Sequence, residues 1–184
     1  MLIPAHDLQY AILRNVCITN EKLFLWKLID SPACNLCKHP TQNSTHRFYS
    51  CKIIKQVWAL LSEILGAMGY FTHIDEQIAI LNFPEQPKNS FLTLVTNYTR
   101  KLIENAHLNN KPPNPNTLLY NWATTANIMA ANNKKGSQKW ILFTQLCNSL
   151  INKNNPQTLP NSPRQMSYTL NTEIQNICNR PISH

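Results

Sequence analysis

The sequence predicts an all-α fold: a helical domain with a small Cys- and His-bearing loop inserted between helices, followed by a partly disordered C-terminal tail. Three observations carry this. Apolar residues recur at three-and-four spacing along most of the chain. Only three glycines stand against twelve prolines in 184 residues, which argues against tight hairpins, Gly-rich phosphate loops and dinucleotide-binding turns. Asn is abundant, and its side chain competes for the backbone, so it favours caps and turns over element interiors.

Taken in order, Leu8, Ile12 and Leu13 share one face of a first helix. Thr19-Asn20 is a polar cap ahead of Leu23, Phe24, Trp26, Leu28 and Ile29, an apolar run that Ser31-Pro32 should stop. After the Cys-bearing turn, Asn43 can cap a short helix through His46 and Phe48. A longer helix follows, with Ile54, Val57, Trp58, Leu61, Ile64 and Leu65 inward and Lys52, Lys55, Gln56, Ser62 and Glu63 outward. Gly66 and Gly69 are placed to end it. Phe91, Leu94, Val95, Tyr98, Leu102 and Ile103 make another amphipathic helix, and Lys111-Pro112-Pro113-Asn114-Pro115 is a break. Leu118, Leu119 and Trp122 begin the next helix, and Trp140, Phe143, Cys147, Leu150 and Ile151 mark one more. Phe24, Phe48, Trp26, Trp58 and Leu61 read as packing residues at helical spacing. The domain reading is residues 5–70 around the Cys-bearing loop, a helical extension at 71–153, and a linker and tail at 154–184 with a weak helix near 166–178.

The formal net charge is +8. It stays positive with three thiolates and one divalent metal counted, which suits a polyanion such as RNA or DNA or, more plainly, a basic protein with no such partner. No stretch of about 18 apolar residues is present, so no membrane span is expected. The first residues lack a charged-then-apolar leader, and an intracellular setting, nuclear or cytoplasmic, is the expectation. Six cysteines there suggest metal ligands or buried thiols rather than disulfides.

The most specific signal is Cys34-x2-Cys37-x8-His46-x4-Cys51. Four ligand-type residues in 18 positions, flanked by helices, match a tetrahedral Cys3His zinc site with no open position. The His46–Cys51 spacing lets one helical turn supply both, if Cys51 falls at or just past the turn's end. The bland alternative leaves Cys34 and Cys37 as buried thiols and His46 as a capping residue. His39 lies too close to Cys37 to share a relaxed site. Cys17, Cys147 and Cys178 have no partners at ligand spacing and read as core or surface thiols.

The run Thr19-Asn20-Glu21-Lys22-Leu23-Phe24-Leu25-Trp26-Lys27-Leu28-Ile29-Asp30-Ser31-Pro32, then the Cys pair, then His46-x-Phe48-x2-Cys51-x6-Trp58, resembles the CCHC zinc-binding region at the C-terminal end of LINE-type (non-long-terminal-repeat) retrotransposon reverse transcriptases. The resemblance covers about residues 8–66. A looser likeness, from Thr93 through Pro113, is to a helix carried downstream in such proteins. Cys17-Ile18 stands where the family often has Leu-Pro, and Gln42-Asn43 where it often has Glu-Thr; Asn43 can replace Thr as a cap.

The resemblance implies a non-catalytic zinc module that assists RNA or DNA binding beside a polymerase domain. The chain holds only three aspartates, Asp7, Asp30 and Asp75, none adjacent, so the paired carboxylates of polymerase chemistry are missing. No acidic-x-Lys nuclease cluster is found, and no enzymatic activity or small-molecule substrate is expected. Lys38, Arg47, Lys52 and Lys55 surround the loop as candidate phosphate contacts, and Tyr49 as a base-stacking platform. The competing reading is a structural zinc domain whose apolar surface packs on a protein partner, or the remnant of a decayed element.

Overall fold

The computed structural model describes residues 5–70, 73–81, 90–132 and 137–154. The expected tail at 154–184, its weak helix and Cys178 lie outside the described residues, Asn154 excepted. Among the described residues there is no strand, and no helix is long and apolar enough to cross a membrane. The described residues form the α-helices α1 (Ala5–Leu13), α2 (Asn20–Leu25), α3 (Lys52–Ala67), α4 (Glu76–Leu81), α5 (Phe91–Leu108), α6 (Pro115–Asn132) and α7 (Ser137–Lys153), with a wide π turn at His46–Ser50. The described residues fall into two compact units, one drawn from 5–62 and from those between 73 and 118, the other from 63–70 and from those between 119 and 154.

The first unit carries α1, α2, the Cys-bearing loop, the π turn, most of α3, and α4 and α5. α1 packs on α4 and α5, and both α4 and α5 pack on the π turn. Its core includes Leu8, Ile12, Phe48, Ile54, Val57, Trp58, Leu61, Ala79, Val95 and Ile103. The Trp58 indole N–H donates to the Phe48 carbonyl at 2.7 Å, so the one polar atom on this large buried ring is satisfied. α4 is held at both ends. Asp75 Oδ1 accepts from Ile78 N–H at 2.8 Å, and the guanidinium of Arg100 donates to the carbonyls of Ile78 and Ala79 at 2.8 and 2.7 Å. Arg100 is 1 % exposed, and its burial brings the guanidinium down to about 9.

Several expectations change. α2 ends at Leu25, earlier than Ser31-Pro32 demands, because Lys27 adopts a left-handed φ of 59°. Leu28 N–H then closes on Leu23 O and Lys27 N–H on Phe24 O, each at 2.9 Å, in a six-to-one and five-to-two helix stop. With the helix cut short, Phe24 is 44 % and Trp26 57 % exposed; neither is a core residue. Leu13, at the end of α1, is also exposed. Ser62 is buried rather than outward, since its hydroxyl accepts from Ile74 N–H at 3.0 Å. On α5 the buried face includes Thr96, Thr99, Arg100 and His107, while Leu94, Tyr98 and Leu102 are half-buried. The threonines lose no hydrogen bond by this, because Thr96 Oγ1 donates to Leu92 O and Thr99 Oγ1 to Val95 O.

The second unit takes the end of α3 with most of α6 and α7. Leu119, Trp122, Ala126, Trp140, Phe143, Leu146 and Cys147 are buried, and the Trp122 and Phe143 rings meet edge-on at 6.4 Å. Asn114 caps α6 through Oδ1, which accepts from Asn116 and Thr117, and Pro115 occupies the first helical position. α3 ends as its glycines suggest. Gly69 takes φ 79°, its N–H bonds Gly66 O, and Tyr70 N–H bonds Leu65 O. A Cβ at Gly69 would meet nothing within 4 Å, so the cost of Gly69→Ala is conformational alone. We expect a loss of about 1–2 kcal/mol of stability, read as a lower midpoint in urea unfolding at unchanged slope.

Candidate metal centre

The site is assembled from a tight turn and a wide one. In the first, Cys34 N–H donates to His39 O at 2.9 Å and Lys38 N–H to Cys34 O at 2.8 Å, with Lys38 in a left-handed conformation at φ 63°. This hairpin-like turn aims Cys34 and Cys37 the same way. The Cys34 sulfur accepts the backbone N–H groups of Cys37 and Leu36.

The second turn begins at Asn43, whose Oδ1 accepts His46 N–H at 2.8 Å, the cap expected from sequence. The backbone then widens over His46–Ser50, and Cys51 N–H closes on His46 O at 3.1 Å. In an α-helix, residues five apart point about 140° away from each other. The wide turn removes much of that angle, which returns Cys51 toward His46. Cys51 is also the residue immediately before α3, and its sulfur accepts the first-turn N–H groups of Ile54 and Ile53. A thiolate there meets unpaired donors and the positive end of the helix dipole.

Cys34, Cys37, His46 and Cys51 thereby bring four donor atoms within 4.8 Å of one another. Cys37 Sγ lies 3.2 Å from His46 Nε2. A tetrahedral zinc site has sulfur-to-sulfur edges of about 3.8 Å, so this set needs only a small contraction to close on an ion. Cys34 and Cys51 are fully buried and His46 is 5 % exposed. Cys34 is held far below the usual thiol range, first by a hydrogen bond from Cys51 and then, against the opposing effect of burial, by backbone N–H groups and Gln42. Cys51 is pushed up, first by its bond to Cys34 and then by burial. Sulfurs this close and this dry do not all ionise unless a cation balances them. The donor set therefore fits a divalent metal. By contrast, Cys17 and Cys147 are raised to about 11 and about 12, mainly by burial, and stand outside the cluster as ordinary buried thiols. His39 is exposed and donates no ligand to the cluster; its ring stacks on His46 with centroids 4.4 Å apart.

A buried polar lattice surrounds the donors. Gln42, 1 % exposed, donates from Nε2 to Cys34 Sγ at 3.6 Å and to His107 Nδ1 at 3.1 Å. Its Oε1 accepts from Asn20 N–H and from the Arg47 guanidinium at 3.2 and 3.0 Å. His107 Nε2 donates to Arg47 O at 2.9 Å, which fixes the neutral tautomer with Nδ1 as acceptor. Arg47 Nε pairs with Glu104 at 2.8 Å. Asn20 Nδ2 donates to Ala33 O at 2.5 Å, tying the first residue of α2 to the turn.

Of the residues expected to touch nucleic acid, Lys38, Lys52 and Lys55 are exposed. Tyr49 is half-buried, with Lys55 Nζ 5.7 Å above its ring. Arg47 is a correction: it is 5 % exposed and committed to Glu104 and Gln42, so it holds the fold and offers nothing to a phosphate. Sequence reasoning missed Gln42, Glu104 and His107 as parts of the site. The two α5 residues lie more than fifty positions after their partners, beyond any local spacing rule.

Residues 5–58 match the family model described as zinc-binding in reverse transcriptase. The likeness to a reverse-transcriptase zinc-binding region, read from the ligand spacing and its flanks, thus holds over that segment, and the matched family is a zinc-binding one, not a catalytic one. No curated protein and no solved structure matches the chain.

His107 gives the site a pH signature. Burial first, and the Arg47 charge next, bring its ring down to about 4 from 6.5. The unfolded chain therefore takes up a proton that the folded chain refuses until about pH 4. The resulting stability is complete above 6.5 and is lost as pH falls toward 4, a difference of roughly 3 kcal/mol. His107→Phe removes this proton, so stability of the metal-loaded variant should fall less steeply than wild type between pH 7 and 5 in urea titrations. Parallel slopes would mean that His107 is not buried as a neutral ring.

Proposed function

We propose that Cys34, Cys37, His46 and Cys51 hold one structural zinc ion, and that the chain is a non-catalytic nucleic-acid-binding module from the C-terminal end of a LINE-type reverse transcriptase. The observation that carries this is the Cys3His donor set gathered within 4.8 Å inside the segment that matches reverse-transcriptase zinc-binding regions. Four protein donors leave no position for a reacting water, which suits structure rather than hydrolysis. The ion supplies the charge that lets the sulfurs ionise together, and its binding energy becomes folding energy for a loop with few apolar residues of its own.

RNA or DNA is the partner favoured by the net charge of +8 and by exposed Lys38, Lys52 and Lys55 on either side of the donors. Such contacts position a strand without reading its sequence. Wild-type protein should carry about one zinc per chain. Cys37→Ser and His46→Ala should lose it together with helical signal in circular dichroism; retention of full zinc by either variant would refute the ligand set. Binding to RNA and DNA should weaken as salt rises, and Lys38→Ala, Lys52→Ala and Lys55→Ala should each lower the log–log salt slope by about one unit. Salt-independent binding, or none, would rule out the nucleic-acid role.

One observation favours a second reading, a zinc domain that packs on a protein such as the polymerase domain of a retrotransposon protein. Among the described residues, eight of the thirteen exposed large apolar side chains fall between Tyr10 and Leu28, with Leu25 71 % and Leu28 67 % exposed. Apolar surface concentrated in this way is characteristic of an interaction face. The double variant Trp26→Ser, Leu28→Ser should raise solubility while leaving zinc content and the salt slope unchanged. A matching loss of nucleic-acid affinity would assign these side chains to base stacking instead.

A further inference from the structure

The segment that matches the zinc-binding family ends at residue 58, yet the hydrogen bonds around the donors do not end there. Cys34 Sγ accepts from Gln42 Nε2, and that same nitrogen donates to His107 Nδ1. His107 belongs to α5, which starts 33 positions after the match stops. We propose that His107 is a positioning residue of the metal centre: it orients the Gln42 amide so that an N–H points at the Cys34 sulfur, and so makes α5 part of the zinc site. The inference rests on the zinc reading given above.

Donor and acceptor roles set the orientation of the Gln42 amide. The Gln42 oxygen faces two groups that can only donate, Asn20 N–H and the Arg47 guanidinium. Its nitrogen must then face the other way, where it finds Cys34 and His107. A backbone carbonyl can only accept, so His107 carries its proton on Nε2 toward Arg47 O and leaves Nδ1 to accept from Gln42. The two donors on Oε1 decide which end of the amide is nitrogen, and His107 Nδ1, by taking one N–H, sets the amide's rotation so that the other N–H points at Cys34. Reversing the amide would place oxygen against the Cys34 sulfur and nitrogen against two donors. His107 is 4 % exposed, so its preference is transmitted to Gln42 rather than lost to bulk solvent.

The chemical effect on the metal follows from the sulfur. An N–H directed at a thiolate withdraws electron density and lowers the cost of holding three negative sulfurs together. Partners that hold ligands in this manner typically change metal affinity by 10–100-fold when removed. Here the partner of the partner sits on a helix distant in sequence, so docking of α5 and occupancy of the metal site reinforce each other by linkage.

The test uses the full chain loaded with Co2+ or Zn2+. His107→Phe keeps ring bulk and deletes both hydrogen bonds; Gln42→Met keeps length and deletes the amide. Ile103→Val, a buried α5 position with no polar contact to the loop, controls for general loosening of the helix. We expect His107→Phe and Gln42→Met each to weaken Zn2+ by roughly 10–100-fold in chelator competition. Both should move the thiolate-to-Co2+ charge-transfer band to lower energy, because the sulfur is more electron-rich without its donor. The double variant should be no weaker than Gln42→Met alone. Ile103→Val should leave the band where it is in wild type. An unmoved band in His107→Phe, or fully additive losses in the double variant, would overturn the proposal. Should His107→Phe fail to fold, the band in Gln42→Met decides whether the amide reaches the sulfur. Absence of metal binding by wild type would instead refute the zinc reading itself.

Discussion

Three sulfurs and an imidazole brought within 4.8 Å of one another are the constraint on which the first unit depends. Bare thiolates at such distances repel, and burial makes the repulsion worse. The chain answers with N–H groups: those of Leu36 and Cys37 on Cys34, and those of Ile53 and Ile54 on Cys51. These bonds need a left-handed turn at Lys38 and a helix beginning directly after Cys51. The local backbone is therefore shaped by the electrostatics of the donors as much as by packing.

The same logic explains why so much polar material is buried near the loop. Gln42, Arg47, His46 and His107 are all at or below 5 % exposure, and each has bonded partners. A region with this little apolar content gains a single defined arrangement from complementary donors and acceptors, at the risk that any one deletion leaves the rest unpaired. The Arg47–Glu104 pair shows that risk most clearly. Removing Glu104 strands the buried Arg47 charge, a loss on the order of 3–5 kcal/mol.

Most of this was legible where physics acts locally. The three-and-four spacing located α3, α5, α6 and α7, Asn43 could be read as a cap, and the Cys and His spacing named four residues that the fold brings together. What escaped was partly local backbone conformation and partly long-range pairing. The stop at Lys27 depends on a left-handed non-glycine residue that composition does not announce, and it exposes Phe24 and Trp26, which their spacing alone assigns to a core. Arg47 looks like a phosphate ligand until Glu104 arrives from α5. Leu94 and Tyr98 look like core until Thr96, Thr99 and Arg100 take the inward positions by bonding backbone carbonyls.

The wide turn at His46–Ser50 has a consequence for the whole of α3. A helix that starts from a π turn inherits its angular phase, and one residue more or fewer rotates everything downstream by about 100°. Deleting a residue between His46 and Cys51 would do more than move a ligand. It would swing Ile54, Val57, Trp58 and Leu61 off the positions they now bury and present Lys55 in the place of Ile54 and Ser62 in that of Leu61. The four-residue gap in the ligand motif is thus a clutch between metal geometry and core registry: it can be refilled with different side chains, but its length cannot drift.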